Sequence, residues 1–199
     1  MPAGQTKARF FEPMLLQRAD SLPEGANWAY EVKLDGYRAL AIRTSGKVHL
    51  GSRHNKDFNI KYPAIVSALA TLPDETVIDG EVVALDDGGR PSFSALQDYA
   101  SSKVPIVYYV FDVLMIAGRS VMSEPASVRR DLLRRAILPK LGEPIRESPV
   151  MGASLPDLIN AVRPTDLRAL WRSVSIANTN RASVRVPGAR CGSAKGKSL

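Results

Sequence analysis

The sequence predicts an α+β fold in which antiparallel sheets are flanked by helices. Residues 39–43 and 48–52 are short, largely apolar runs on either side of Thr44-Ser45-Gly46-Lys47, the pattern of a β-hairpin. Residues 76–85 form another extended run that ends at Asp86-Asp87-Gly88-Gly89, a strong turn signal that predicts a second hairpin. Helical and extended patterns then mix without regular alternation, which favours α+β over a parallel α/β arrangement.

Helices are predicted at 63–72, 94–100, 127–138 and 155–162, and a mostly apolar run at 104–114 is interrupted by Asp112. In the 127–138 segment an apolar stripe should face the core, and four arginines should face water rather than DNA. The stripe is Val128, Leu132, Leu133 and Ala136, and the arginines are Arg129, Arg130, Arg134 and Arg135. A length of 199 residues with 45% hydrophobic content suits one domain, or one and a half, with a real core.

The residues best suited to chemistry lie in 31–38, Glu-Val-Lys-Leu-Asp-Gly-Tyr-Arg. Strand alternation puts Glu31, Lys33 and Asp35 on one face. A lysine becomes a nucleophile only where its amine can lose a proton beside an electrophile, and a nucleotide phosphate fits this charged set. The alternative for this short segment alone is a surface strand with a polar face that ends in a glycine turn.

Three later segments extend this pattern: Ser52-Arg53, Asp79-Gly80-Glu81 and Phe111-Asp112. In order and separation, the four segments resemble motifs I, Ia, III and IIIa of the covalent nucleotidyltransferases. With the lead-in from Phe11 to Leu15, the chain over residues 10 to 162 resembles the ATP-dependent DNA ligase domain of bacterial end-joining ligases. The resemblance implies an ATP-grasp-like covalent nucleotidyltransferase fold, with the nucleotide cleft between two antiparallel sheets.

The resemblance also implies roles for seven residues. Lys33 would attack the α-phosphate of ATP to form lysyl-AMP, with Mg²⁺ as the metal. Among the six cofactor-binding residues, Glu31 would face the adenine amine and Phe111 would stack on the purine. Arg53 and Glu81 would hold the ribose. Asp35 and Arg38 would serve the metal-bound phosphate and the 5′-phosphate of the nick. Without this context Phe111 would be ordinary core, Arg53 a solvated charge and Glu81 a strand-face carboxylate. No residue is assigned as a metal ligand.

The resemblance breaks down after residue 162. The family's Glu-Gly-x-x-x-Lys and Lys-x-Lys strands (motifs IV and V) are missing, and no carboxylate follows Asp166. In a shifted reading frame, codons for residues 165–174 can encode Gly-Phe-Glu-Gly-Ile-Val-Ala-Lys-Arg, which resembles motif IV. We interpret residues 1–162 as an incomplete adenylation domain and 163–199 as a basic tail, out of frame and disordered, with no OB-fold domain after it.

The charge distribution agrees with a boundary near residue 162. The chain carries a net charge of +7, and all of that excess lies in residues 163–199. The basic composition is therefore weak support for DNA binding. The single cysteine, Cys191, excludes a disulfide framework, and no secretory signal or membrane segment is visible, so a cytoplasmic protein is expected.

The sequence thus predicts an ATP-dependent DNA ligase adenylation domain that acts in DNA repair and recombination. Its partners would be nicked or broken duplex DNA and end-joining repair proteins, with no membrane. The loss of motifs IV and V should impair the activity of this domain. The alternatives are an inactive ligase remnant, or an RNA ligase or capping-type nucleotidyltransferase.

Overall fold

The structure, a computed structural model, describes residues 6–14, 17–18, 28–32, 34–98, 104–151, 174–178 and 183–185. Within them the strands are β1 Gln17–Arg18, β2 Trp28–Val32, β3 Tyr37–Thr44, β4 Lys47–Ser52, β5 Thr76–Ala84, β6 Ile106–Ile116, β7 Arg119–Ser120, β8 Ile145–Glu147, β9 Val150–Met151, β10 Val174–Asn178 and β11 Ser183–Arg185. The α-helices are α1 Pro63–Ala68, α2 Phe93–Gln97 and α3 Ala126–Leu132. Short 3₁₀ turns follow at Leu69–Thr71 and Leu138–Lys140, and a π-helical turn, Leu133–Ile137, extends α3.

These strands form two sheets, which confirms the predicted α+β class. Sheet A has the order β1-β11-β10-β2-β9, and sheet B has the order β4-β3-β5-β6-β7 with β8 beside β6. Pairing is antiparallel except for β1 with β11 and β6 with β8. β10 and β11 come from the segment predicted to be a disordered tail and here lie within sheet A. The domain boundary at residue 162 stays a prediction.

The first hairpin forms as the sequence predicts. Ser45 and Gly46 have φ values of 50° and 75°, so both central turn residues are left-handed, as a tight hairpin turn requires. The second hairpin is shorter than predicted. After the turn at Asp86, an antiparallel bridge joins Leu85 to Pro91, the Ser92 N–H donates to the Ala84 carbonyl oxygen, and the chain then enters α2. Ser92 caps that helix by accepting a hydrogen bond from the Ala95 N–H, so a capping signal ended the extended segment.

β5 lies at the centre of sheet B, and its two faces have different environments. Ile78, Val82 and Ala84 point into the main core, which the helices cover. On the opposite face, Val77 packs with the N-terminal segment, and Val83 packs with Leu34 in a small second cluster. Asp79 and Glu81 lie between these two apolar clusters on that face, because alternate residues of a strand share a side.

The segment 127–138 is helical, but its faces are assigned differently from the prediction. The buried residues are Arg129, Leu133 and Ile137, which recur at intervals of four, whereas Val128 is 42% exposed. The expectation that Arg129 faces water was therefore wrong. The helix predicted at 63–72 is confirmed as α1 and its 3₁₀ extension, and the one predicted at 155–162 lies outside the described residues.

Candidate functional site

The candidate site begins with an ion pair between neighbouring strands of sheet B. Arg38 of β3 donates from Nε and Nη2 to the two carboxylate oxygens of Asp79 on β5, at 2.7 and 2.6 Å. The Asp79 side chain is 4% exposed, and burial raises its pKa while the Arg38 charge opposes that rise. The Arg38 guanidinium also lies over the ring of Phe111 on β6, 4.6 Å from its centroid. Arg38 thus joins three strands and covers one face of the aromatic ring.

The glycine turn before β3 is hydrogen-bonded to Glu81 of β5. The Gly36 N–H donates to Oε1 of Glu81 at 3.1 Å. A Cβ at Gly36 would lie 2.2 Å from the carbonyl oxygen of Val82, so only glycine allows this approach to β5. Arg53, exposed after β4, donates its backbone N–H to the Arg38 carbonyl at 3.2 Å. Segments 34–38, 52–53, 79–81 and 111–112, far apart in sequence, therefore meet in space.

A second pair of carboxylates is held by consecutive residues of α3. Arg129 donates to both oxygens of Asp112 at 2.8 and 2.7 Å, and Arg130 pairs with Glu31 of β2. Burial raises the pKa of Glu31, and the Arg130 charge opposes that rise. Asp112 and Arg38 also act electrostatically on Glu31, so this residue of sheet A lies near the polar face of sheet B.

The strand face predicted for Glu31, Lys33 and Asp35 is described only in part. Lys33 lies outside the described residues. β2 ends at Val32, so the strand face predicted to carry both Glu31 and Asp35 does not extend to Asp35, which is exposed in the connection to β3. The roles assigned to all seven residues stay predictions.

Sequence reasoning missed Asp79, Arg129 and Arg130 as parts of the site. The signal for Arg129 was its position four residues before Leu133 and eight before Ile137, on the buried side of the helix. A charge on that side needs an opposite partner, because an unpaired buried charge is strongly unfavourable. Asp112 within an apolar strand was the available partner.

Comparison with known protein families identifies the domain. The model of the ATP-dependent DNA ligase domain matches residues 13–154. The chain belongs to the ATP-dependent DNA ligase domain family. Membership of this family, as a ligase adenylation domain, accounts for the two sheets and for the meeting of the four segments on the polar face of sheet B.

Curated relatives include a SPβ prophage-derived DNA ligase-like protein, LigB, of Bacillus subtilis. It is 35% identical over 127 residues, which is 62% of this chain and 46% of LigB. The multifunctional non-homologous end joining protein LigD of Mycolicibacterium smegmatis is 36% identical over 125 residues, 62% of this chain and 16% of LigD. The ligase domain thus spans less than half the length of these relatives.

Solved structures show the same architecture. A mycobacterial DNA ligase D complexed with ATP and MES superposes with a TM-score of 0.68 and 27% identity, covering 91% of this chain and 57% of that one. The ligase domain of Mycobacterium tuberculosis LigD gives a TM-score of 0.64 and 28% identity, covering 85% and 54% of the two chains. Within the described residues, no helix has the length and apolar character needed to span a bilayer.

Proposed function

We propose that this ligase domain performs the first step of DNA ligation, the transfer of AMP from ATP to Lys33. The observation that carries the proposal is the meeting of segments 34–38, 52–53, 79–81 and 111–112, together with Glu31, around one polar face. Carboxylates, arginines and an aromatic ring are the groups that bind a base, a ribose and phosphates in one place. The ATP complex of the mycobacterial relative supports the same choice of nucleotide.

The base and the ribose are assigned to the buried side of this face. Phe111 is half-buried and its ring is covered by Arg38 on one side, so we propose that the purine stacks on the opposite side. Glu31 would accept a hydrogen bond from the adenine amine. Glu81, next to the glycine turn, and Arg53 would hold the ribose.

The phosphates are assigned to the exposed side, near Asp35. The amine of Lys33, once deprotonated, would attack the α-phosphorus. A P–N bond forms, the bond from that phosphorus to the bridging oxygen breaks, and pyrophosphate leaves with the electron pair. Arg38 would contribute positive charge, although two of its nitrogens already bind Asp79.

We propose Mg²⁺ as the accompanying ion. Among the described residues, no three His, Cys, Asp or Glu side chains cluster as a metal site. Mg²⁺ in nucleotide enzymes is commonly held by one or two carboxylates and the phosphates of the substrate, so the exposed Asp35 is compatible with this mode. When bound, the ion neutralises phosphate charge as pyrophosphate leaves.

The wider role follows by similarity. The curated relatives include DNA ligase-like and end-joining proteins, so we propose nicked or broken duplex DNA as the substrate and end-joining repair proteins as partners. Work on chromosomal DNA would place the protein in the cytoplasm. We expect slow adenylation, because motifs IV and V are not recognised in residues 163–199.

Incubation of the full chain with α-labelled ATP and Mg²⁺ tests the proposal. A covalent AMP adduct is expected with the unmodified chain and should be lost in Lys33→Ala. Lys47→Ala, at the exposed first residue of β4, is the matched control and should retain the adduct. An adduct of equal yield in Lys33→Ala would exclude this lysine. No adduct under any condition would favour an inactive remnant, and labelling by GTP in place of ATP would favour a capping-type enzyme.

A further inference from the structure

Arg130, the partner of Glu31, has no part in the function proposed so far. Both side chains are largely buried, at 13% and 10% exposure, and they come from different elements, α3 and β2. Arg130 donates from Nη2 to Oε1 of Glu31. Among the described residues, no hydrogen bond reaches the other carboxylate oxygen, Oε2. An ionised carboxylate can accept several hydrogen bonds, so Oε2 remains able to accept one from a ligand.

The charge state of Glu31 depends on its neighbours. Burial favours the neutral acid, and the negative charge of Asp112 on β6 acts in the same direction. Arg130 on α3 and Arg38 on β3 oppose them, but Arg38 is committed to Asp79. Arg129, beside Arg130, is committed to Asp112. Arg130 is therefore the cation that directly compensates Glu31 within the described part of the chain.

The charge state matters because it decides which base Glu31 can accept. Adenine carries an amine at C6, which donates hydrogen bonds, and guanine carries a carbonyl oxygen there, which accepts them. An ionised carboxylate only accepts, so it pairs with the amine and repels the carbonyl. A protonated carboxylic acid can also donate, and could therefore pair with either base.

We propose that Arg130 is a positioning residue for adenine specificity: it binds Oε1 of Glu31 and keeps the carboxylate as a pure acceptor, with Oε2 for the amine of ATP. This inference rests on the proposed function, in which Glu31 faces the base. Arg130 itself does not touch the nucleotide. Its effect is on the choice between ATP and GTP.

The test compares equilibrium binding of ATP and GTP to the full chain and to Arg130→Met. Between about pH 6 and pH 9 the preference for ATP should change less with pH in the unmodified chain than in Arg130→Met, because the Arg130 charge opposes the rise in the pKa of Glu31. In Arg130→Met the preference should fall by roughly 10- to 100-fold at the acidic end, the range for a hydrogen bond to a charged group. It should recover as the pH rises, because Glu31 then ionises without its partner. A structural defect alone would not give this recovery.

Three further variants test whether the charge of Arg130 acts through Glu31. Arg130→Lys keeps the positive charge and should stay close to the unmodified chain. In Glu31→Gln the preference should fall at every pH, and adding Arg130→Met should lower it no further. Arg134→Met, one turn along the helix and half-exposed, is the matched control and should change nothing.

The possible failures are distinguishable. If the unmodified chain binds neither nucleotide, the proposed function is wrong. If it binds ATP and Arg130→Met keeps the same ATP preference at every pH, the function stands and this inference is overturned. If Arg130→Met lacks a cooperative thermal transition, Arg130→Gln, which can hydrogen-bond Oε1 without charge, replaces it with the same expected pH dependence.

Discussion

Removing the Asp79 carboxylate should destabilise the domain more than any substitution in a surface ion pair. Asp79 makes two charge-assisted hydrogen bonds to Arg38, and its side chain is 4% exposed. Asp79→Ala leaves the guanidinium without its partner in a site that is mostly closed to water. Breaking a buried pair in this way costs ~3–5 kcal/mol. Because Arg38 remains 25% exposed and can regain some water, we expect a value near the lower end of that range.

A double-mutant cycle measured by urea denaturation tests this estimate. Arg38→Met should also destabilise, since it leaves the buried Asp79 carboxylate unpaired and uncovers the Phe111 ring. The double variant should lose less than the sum of the single losses, because no unpaired charge remains, with a coupling of about 2 kcal/mol. A coupling below ~0.5 kcal/mol would refute the reasoning. The exposed pair Asp131 and Arg135 is the control and should give at most ~1 kcal/mol.

Two further predictions concern the glycine turn and the N-terminal segment. Gly36→Ala puts a Cβ 2.2 Å from the Val82 carbonyl oxygen and should cost ~1–3 kcal/mol in urea denaturation and weaken ATP binding. Gly142→Ala, where a Cβ meets nothing within 4 Å, should be neutral, and equal losses would contradict the argument. Glu75 accepts the Ala8 N–H at 2.5 Å, and its pKa is lowered by this and other hydrogen bonds. Its stabilisation should be present above its ordinary pKa of 4.5 and lost as the pH falls through the lowered value. Thermal unfolding against pH should show this loss, and in Glu75→Gln it should be smaller; identical profiles would refute it.

Local patterns were enough to predict the regular elements. The hairpin of β3 and β4 follows from apolar runs around Ser45-Gly46, and α1 follows from Pro63 and a helical apolar period. The second hairpin is shorter than predicted because the turn residues after Leu85 do not decide how far the returning strand extends. The Ser92 cap favours a helix there, and β5 instead pairs with β3 and β6, which are distant in sequence.

The candidate site was predictable as a set of segments but not as a network. The order of the motifs predicted Arg38, Glu81 and Phe111 as site residues, and in the structure these residues lie in one group. The helix period indicates a buried Arg129, but no such signal exists for Arg130, and charged residues on a helix usually face water. The packing of α3 against β6 and beside β2 buries both arginines opposite two carboxylates.

Consecutive residues of α3 are bonded to different sheets, Arg129 to Asp112 of sheet B and Arg130 to Glu31 of sheet A. Helix α3 therefore links the two sheets. The sheets cannot move apart at this point unless one of the two ion pairs breaks and α3 travels with the sheet that it still holds. Each of these two arginine contacts therefore resists a separation of the sheets at α3.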